Sequence, residues 1–219
     1  MLAAVIALAV ATPAQERFVM PVDEAGKDPS FKAFRSKLIA AVDRRDTAFI
    51  IRSLDRNVQL SYGGHAGVAD FRKLWRPNDA KSKFWSAFGA VIRNGGHFIS
   101  GIGKSRSSFY APFTFRGFPD DLDAFEYAVI FGNNVNLRKT PAADGESIAT
   151  LSYNVVKPTY SEADANDDAP RASRWIKVET LGGKSGYVRG DFVRSPIDYR
   201  DGFEKKGGVW RIVTFIAGD

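Results

Sequence analysis

The sequence predicts an α+β protein in two parts: a helix-plus-sheet part first, then a small β-barrel. Three observations carry this. Apolar residues recur at helical spacing from Phe31 to Val42 and again from Phe84 to Ile92. Between Val129 and Val193 that spacing disappears, and short strand-like runs alternate with turn residues. A last strand-like stretch, Val209 to Ile216, follows the small part.

Met1 to Val10 is apolar, uncharged in its side chains and too short to span a bilayer. Ala9-Val10-Ala11 and Thr12-Pro13-Ala14 supply the small residues of a cleavage site. Residues 1–14 therefore read as a secretory signal peptide, although no basic residue precedes the apolar run. The alternative is an apolar N-terminal helix packed on the domain. Cleavage would give an exported, periplasmic protein with no integral membrane segment in the mature chain.

A polar stretch from Gln15 to Lys27 leads to Asp28-Pro29, a helix start: aspartate caps free N–H groups, and proline is tolerated at the first helical position. Phe31, Phe34, Leu38 and Val42 form the apolar stripe. A second short helix is expected after Asp46, carrying Phe49, Ile50 and Leu54. Asn57 to Tyr62 alternates Val58, Leu60 and Tyr62 and reads as a strand ended by Gly63-Gly64. Val68, Phe71, Leu74 and Trp75 suggest a helix stopped by Pro77; Asn78-Asp79 would cap the next, which Gly95-Gly96 ends. Phe98 to Ile102 and Phe109 to Phe115 are candidate strands. Gly117 to Asp123 reads as a linker, so a first domain over 15–127 and a barrel over 128–198 are expected.

Within the barrel, Val135 and Leu137 would face the core and Asn136 and Arg138 the outside. Ile176 and Val178 would face inward, with Trp175, Lys177 and Glu179 outward. Lys157 to Arg174 is acidic and poor in apolar residues, the composition of a solvated, mobile loop. Ser195-Pro196 breaks the chain, and Tyr199 to Asp219 reads as a hairpin. Its second strand carries Trp210, Ile212, Thr214 and Ile216 on one face and Val213, Phe215 and Ala217 on the other. Apolar residues on both faces place it inside a sheet, so 199–219 is expected to complete the first domain.

The 219 residues carry no cysteine and two histidines, His65 and His97. Disulfides, cysteine-rich zinc sites and cysteine nucleophiles are thereby excluded. The formal charge is +6, and the basic excess lies between Gln15 and Ile130, with 18 Lys and Arg against 13 Asp and Glu. This suits solubility or attraction to an anionic polymer; no nucleic-acid-binding motif accompanies it. No cofactor fingerprint occurs: Gly101-Ile102-Gly103-Lys104-Ser105 lacks the spacing of a phosphate loop. The two histidines lie on separate elements at no metal-ligand spacing, so no metal site is expected. His65 with Asp70 is the one candidate acid–base pair. Trp175 and Tyr187, outward on adjacent strands, could form a flat platform for peptides or sugar rings, with Tyr153 and Tyr160 extending it. The alternative is that Trp175 packs under the acidic loop or against the first domain.

Val135-Asn136-Leu137-Arg138 followed by Pro141, then Trp175-Ile176-Lys177-Val178, then Gly183-Lys184-Ser185-Gly186-Tyr187-Val188, resembles a bacterial SH3 (SH3b) domain. The resemblance implies an SH3-like small β-barrel that serves as a binding module. Such modules often accompany cell-wall peptidases that use a Cys-His pair, and a chain without cysteine cannot be one of those. Phe34-x-x-x-Leu38, Ala41-Val42 and Leu54-Asp55-x-Asn57-Val58 resemble the first part of NTF2-like (cystatin-like) domains. That family lays a helix across a curved sheet to make a pocket, sometimes with a His–Asp pair inside.

Two functions follow. The first is a non-catalytic exported protein whose SH3b-like module binds peptide or cell-wall material, or docks the first domain. The second is an NTF2-like enzyme or small-ligand carrier using a pocket near His65, with the barrel as an accessory.

Overall fold

In the computed structural model, which describes residues 15–99, 108–160 and 173–218, Asp28 caps the first helix. The signal-like residues 1–14, the Gly101–Ser105 stretch and residues 161–172 of the acidic connection lie outside the described residues. The Asp28 carboxylate accepts from the N–H groups of Ser30 (2.7 Å) and Phe31 (3.1 Å), and Pro29 opens α1 (Pro29–Arg44). The helix ends on Arg45 in the left-handed region, φ 52°. Its hydrogen bond from the Ser30 hydroxyl, chiefly, holds the Asp28 carboxyl below its ordinary value. Asp28→Ala should therefore cost about 1 kcal/mol near neutral pH. A group with a depressed folded-state pKa stabilises above its unfolded pKa and loses that contribution as pH falls. The difference between variant and wild type should accordingly shrink in acid, as followed by urea melts at several pH values.

Asp46 caps α2 (Thr47–Ser53) through the Phe49 N–H at 2.9 Å. β1 (Leu54–Gln59) follows at once, three residues earlier than the sequence alternation suggests. Leu54 leaves the helical stripe because its extended backbone sits opposite Ile212 of the last strand. The alternation holds through Val58 and Leu60, both buried, but Tyr62 is exposed. α3 (Gly67–Trp75) and α4 (Phe84–Ile92) form as expected, but Asn78-Asp79 does not cap α4. Asp79 instead closes a turn by accepting from the Lys81 N–H at 2.8 Å. β2 (His97–Ile99) starts one residue earlier than expected, and the remainder of the expected Phe98 to Ile102 strand lies outside the described residues; β3 (Ser108–Ala111) is shorter than expected, because Pro112, which has no N–H, ends it and α5 (Phe113–Gly117) takes the residues after it.

Two compact units emerge. The larger comprises 19–129 and 194–219; the smaller comprises 130–193 with the described residues 15–18. The larger unit holds a five-stranded sheet in the order β1-β12-β11-β3-β2, where β11 is Arg200–Lys206 and β12 is Val209–Ile216. β1 runs parallel to β12, and the other pairs are antiparallel. The two-faced apolar pattern of β12 has a different cause from the one the sequence suggests. Gly202 pairs with Thr214 and Phe203 with Ile212, so Val213 is an extra residue. This bulge switches the core side from Trp210 and Ile212 to Phe215, all three of which join the main core cluster.

That core is aromatic. The Phe31 ring lies 4.3 Å from Phe109, 4.8 Å from Trp210, 5.4 Å from Phe203 and 5.6 Å from Phe98, centroid to centroid. A second group surrounds Phe84, with Phe71 and Phe88 each at 5.0 Å. Gly96 serves more than the helix end: a Cβ there would lie 2.1 Å from the Tyr110 carbonyl oxygen.

The seven-stranded sheet contains β4 (Ala128–Ile130), β5 (Val135–Arg138), β6 (Ser147–Leu151), β7 (Val155–Thr159), β8 (Trp175–Thr180), β9 (Ser185–Arg189) and β10 (Val193–Arg194), of which residues 130–193 belong to the smaller unit. Their sheet order is β10-β4-β7-β8-β9-β5-β6. It does not close into the barrel that the sequence suggests: among the described residues β10 and β6 stand at its two edges. β10 is two residues long. The acidic connection also starts later than its composition suggests, because Lys157 to Thr159 belong to β7 and pair with β8. Val135, Leu137, Ile176, Val178 and Val188 are buried, as alternation requires, whereas in β7 the consecutive Val155 and Val156 are both buried.

Residues 15–18 group with this unit rather than with the helices. The Val155 N–H donates to the Arg17 carbonyl at 2.8 Å. The Thr180 hydroxyl donates to Glu16 Oε1 at 2.7 Å.

Candidate functional site

Antiparallel pairing fixes which outward side chains of the smaller unit are neighbours. Lys177 of β8 stands opposite Tyr187 of β9 and Thr159 of β7, and Tyr187 stands opposite Arg138 of β5. One row across the sheet therefore reads Arg138, Tyr187, Lys177, Thr159. In the next row Arg189 faces Trp175. In the row on the other side Glu179 lies between Ser185 and Lys157. Trp175 and Tyr187 thus share one face on a diagonal, a spacing of about 7–8 Å that large side chains can bridge. Both rings are half-buried, while Lys177 and Arg189 are exposed.

Local geometry explains why the motif glycines belong here. A Cβ on Gly186 would lie 2.6 Å from the Arg138 carbonyl oxygen, so β5 and β9 meet only if that residue has no side chain. Gly183, at φ 85°, turns the chain between β8 and β9. The Arg189 guanidinium donates to both carboxylate oxygens of Asp191, at 3.2 and 2.8 Å, and lies 6.0 Å from the Phe192 ring centre. Arg138 Nη1 donates to the Gly145 carbonyl at 2.5 Å.

Tyr153 does not join this face. It precedes β7 in a left-handed turn, φ 58°, and Val156 is already level with Thr180 at the far end of β8. Trp175 and Tyr153 are therefore separated by at least five residues of strand, roughly 17 Å. Tyr160 follows Thr159 at the Trp175 end and is exposed.

In the larger unit, His65 Nδ1 lies 3.5 Å from Asp70 Oδ2, with side-chain exposures of 57% and 38%. Asp70 also accepts from the Ala66 N–H at 3.1 Å, which makes it a cap for α3. The structure brings the pair together in an exposed position. His97 Nε2 is buried without a hydrogen-bond partner among the described residues. Among those residues no three His, Cys, Asp or Glu side chains converge as a metal site would require, and no helix is long and apolar enough to cross a membrane.

Sequence reasoning missed two features. One is Arg189, a cation on the same side as Tyr187 and two residues on, as Lys177 is from Trp175, legible once the run is read as a strand. The other is Asp201, a fully buried aspartate whose carboxylate oxygens have no hydrogen-bond partner among the described residues. Burial pushes its carboxyl well above the carboxylate range, while Arg194 pulls the other way. Only its place in β11, between Arg200 and Gly202, could have signalled it.

No curated protein and no solved structure matches the chain. Residues 133–194 match the family model of the bacterial SH3 domain, and they span the strands that build the Trp175–Tyr187 face, so the smaller unit is a module of that kind.

Proposed function

We propose that this is a non-catalytic exported protein whose SH3 unit binds peptide or cell-wall material on the outward face of β8 and β9. The observation that carries the reading is the placement of Trp175 and Tyr187 on one solvent-facing side of adjacent strands, diagonal in register. Aromatic side chains held by strands lose little entropy on binding and present broad apolar surface to a ligand. The competing reading, an enzyme or carrier built around His65, has the 3.5 Å contact with Asp70 in its favour. The exposure of both side chains gives that pair no dry environment to work in.

Trp175→Ala should weaken retention on isolated peptidoglycan by about 2 kcal/mol, roughly thirtyfold, whereas His65→Ala should leave it unchanged. Equal retention by wild type and the Trp175 variant would remove the platform. Export rests on the apolar and small residues of 1–14. Intact mass of the protein from its own host should lack those residues, and a mass that includes them would exclude cleavage.

A further inference from the structure

The face that holds Trp175 and Tyr187 alternates aromatic and cationic side chains in both directions. Across the sheet the order is Arg138, Tyr187, Lys177; along β8 it is Trp175, Lys177; along β9 it is Tyr187, Arg189. These two rows contain no acid: Glu179 lies one row further, opposite Lys157 and Ser185. The three cations differ in what they have left to offer. Arg189 is held by Asp191, and Arg138 spends one nitrogen on the Gly145 carbonyl. Lys177 is exposed and forms no ion pair among the described residues, with Tyr187 across from it and Trp175 two residues along.

Resting on the reading that this is the binding face, we propose that its ligand is an acidic peptide, in which carboxylates alternate with apolar or aromatic side chains. Lys177 takes a carboxylate and the two rings flank it. A neutral ligand lying on both rings would cover the Lys177 ammonium without a partner, and desolvating an unpaired cation opposes binding. A carboxylate removes that penalty, and the covering rings exclude water and strengthen the pair beyond an exposed surface contact. A polyphosphate would need a run of uncommitted cations, and here two of the three are engaged. It would also leave the apolar faces of Trp175 and Tyr187 unused.

The test uses the full chain and three probes: a short peptide alternating glutamate and leucine, its glutamine counterpart, and inorganic polyphosphate. Binding is followed by calorimetry at low and high salt. The glutamate peptide should bind at least about tenfold tighter than the glutamine peptide at low salt, with the preference shrinking as salt screens it. Lys177→Gln should abolish the preference. Lys184→Gln, the same charge change in the β8–β9 turn, should keep it. Thermal melts confirm that each variant is folded.

Equal affinity for both peptides, with binding still lost in Trp175→Ala, would overturn the acidic ligand and leave the face intact as a binding site. Tighter binding of polyphosphate than of the glutamate peptide, dependent on Lys177, would overturn the peptide class. Binding to peptidoglycan but to neither peptide would also overturn it. Binding indifferent to both Trp175→Ala and Lys177→Gln would defeat this inference and the proposed binding face together.

Discussion

Phe31→Ala is expected to destabilise the larger unit by about 3–5 kcal/mol, the range for removing a large buried aromatic. Single domains are stable by only about 5–15 kcal/mol, so the loss is a large fraction of the total and should appear as a much lower melting temperature. The size of the effect follows from what Phe31 touches. Its fully buried ring meets Phe109, Phe203, Phe98 and Trp210, which come from four different strands, and Phe34 from its own helix. A hole at that point cannot be filled by one neighbour relaxing, because each ring is fixed by a strand in register. Three of the four tryptophans, Trp75, Trp85 and Trp210, lie in the larger unit, so fluorescence melts report on it. Phe31→Leu, which keeps most of the volume, should recover more than half of the loss. A cost below about 1 kcal/mol for the alanine variant would mean that the cluster collapses freely and is not the keystone of the unit.

Asp201→Asn is expected to stabilise the larger unit at neutral pH and to have little effect in strong acid. Asp201 lies in β11, level with Ala111 of β3 and Phe215 of β12, among apolar groups. No residue of α4, which packs on β11, is charged, and Arg194 is the charge that acts on Asp201. The folded-state proton affinity is raised, so the folded protein keeps its proton at pH values where the unfolded chain has lost it. Below the unfolded pKa, both states are protonated and the residue adds no pH dependence. As pH rises past about 4, the unfolded state gains the advantage, by about 1.4 kcal/mol per pH unit, until the folded state also ionises. The amide has no proton to lose, and its shape matches the acid. Denaturant melts of the pair should therefore coincide near pH 3 and separate progressively above it, with the variant the more stable. A variant less stable than wild type at pH 7 would mean that Asp201 is ionised and works as a buried partner of Arg194.

The local grammar of this fold is written in the sequence, and its long-range pairing is not. Asp28-Pro29 and Asp46 are capping signals that act within three residues, and both do what their chemistry dictates. The strands of the SH3 unit were readable because Val135, Leu137, Ile176 and Val178 alternate strictly with polar residues. Leu54 was misplaced because its apolar side chain fits a helical stripe equally well, and the choice is made by a strand far away in the chain. Val213 shows the same limit in another form: a bulge looks like two-sided burial until the partner strand is known. In the candidate site, Trp175 and Tyr187 could be assigned to one face from alternation alone. Excluding Tyr153 required the β7–β8 register, which places it at the opposite end of the ladder. Asp201 had no signal of its own, since burial of a charged residue depends on everything packed around it.

The order in which the polypeptide is made has a consequence for the split larger unit. β12 and β11 hold the second and third places in its five-stranded sheet, yet they follow the SH3 segment in the chain. During translation β1, β2 and β3 leave the ribosome well before the two strands that join them. Until then β1 has no parallel partner, β3 has one open edge, and Phe31, Phe98 and Phe109 lack Phe203 and Trp210 to pack against. The nascent chain therefore carries open strand edges and uncovered aromatic rings through the whole synthesis of the inserted module, the interval in which a holdase chaperone has most to bind. The interval ends only when the short connection 194–199, closed by the Arg194 guanidinium on the Tyr199 carbonyl, has brought the chain back from the module to supply those two strands.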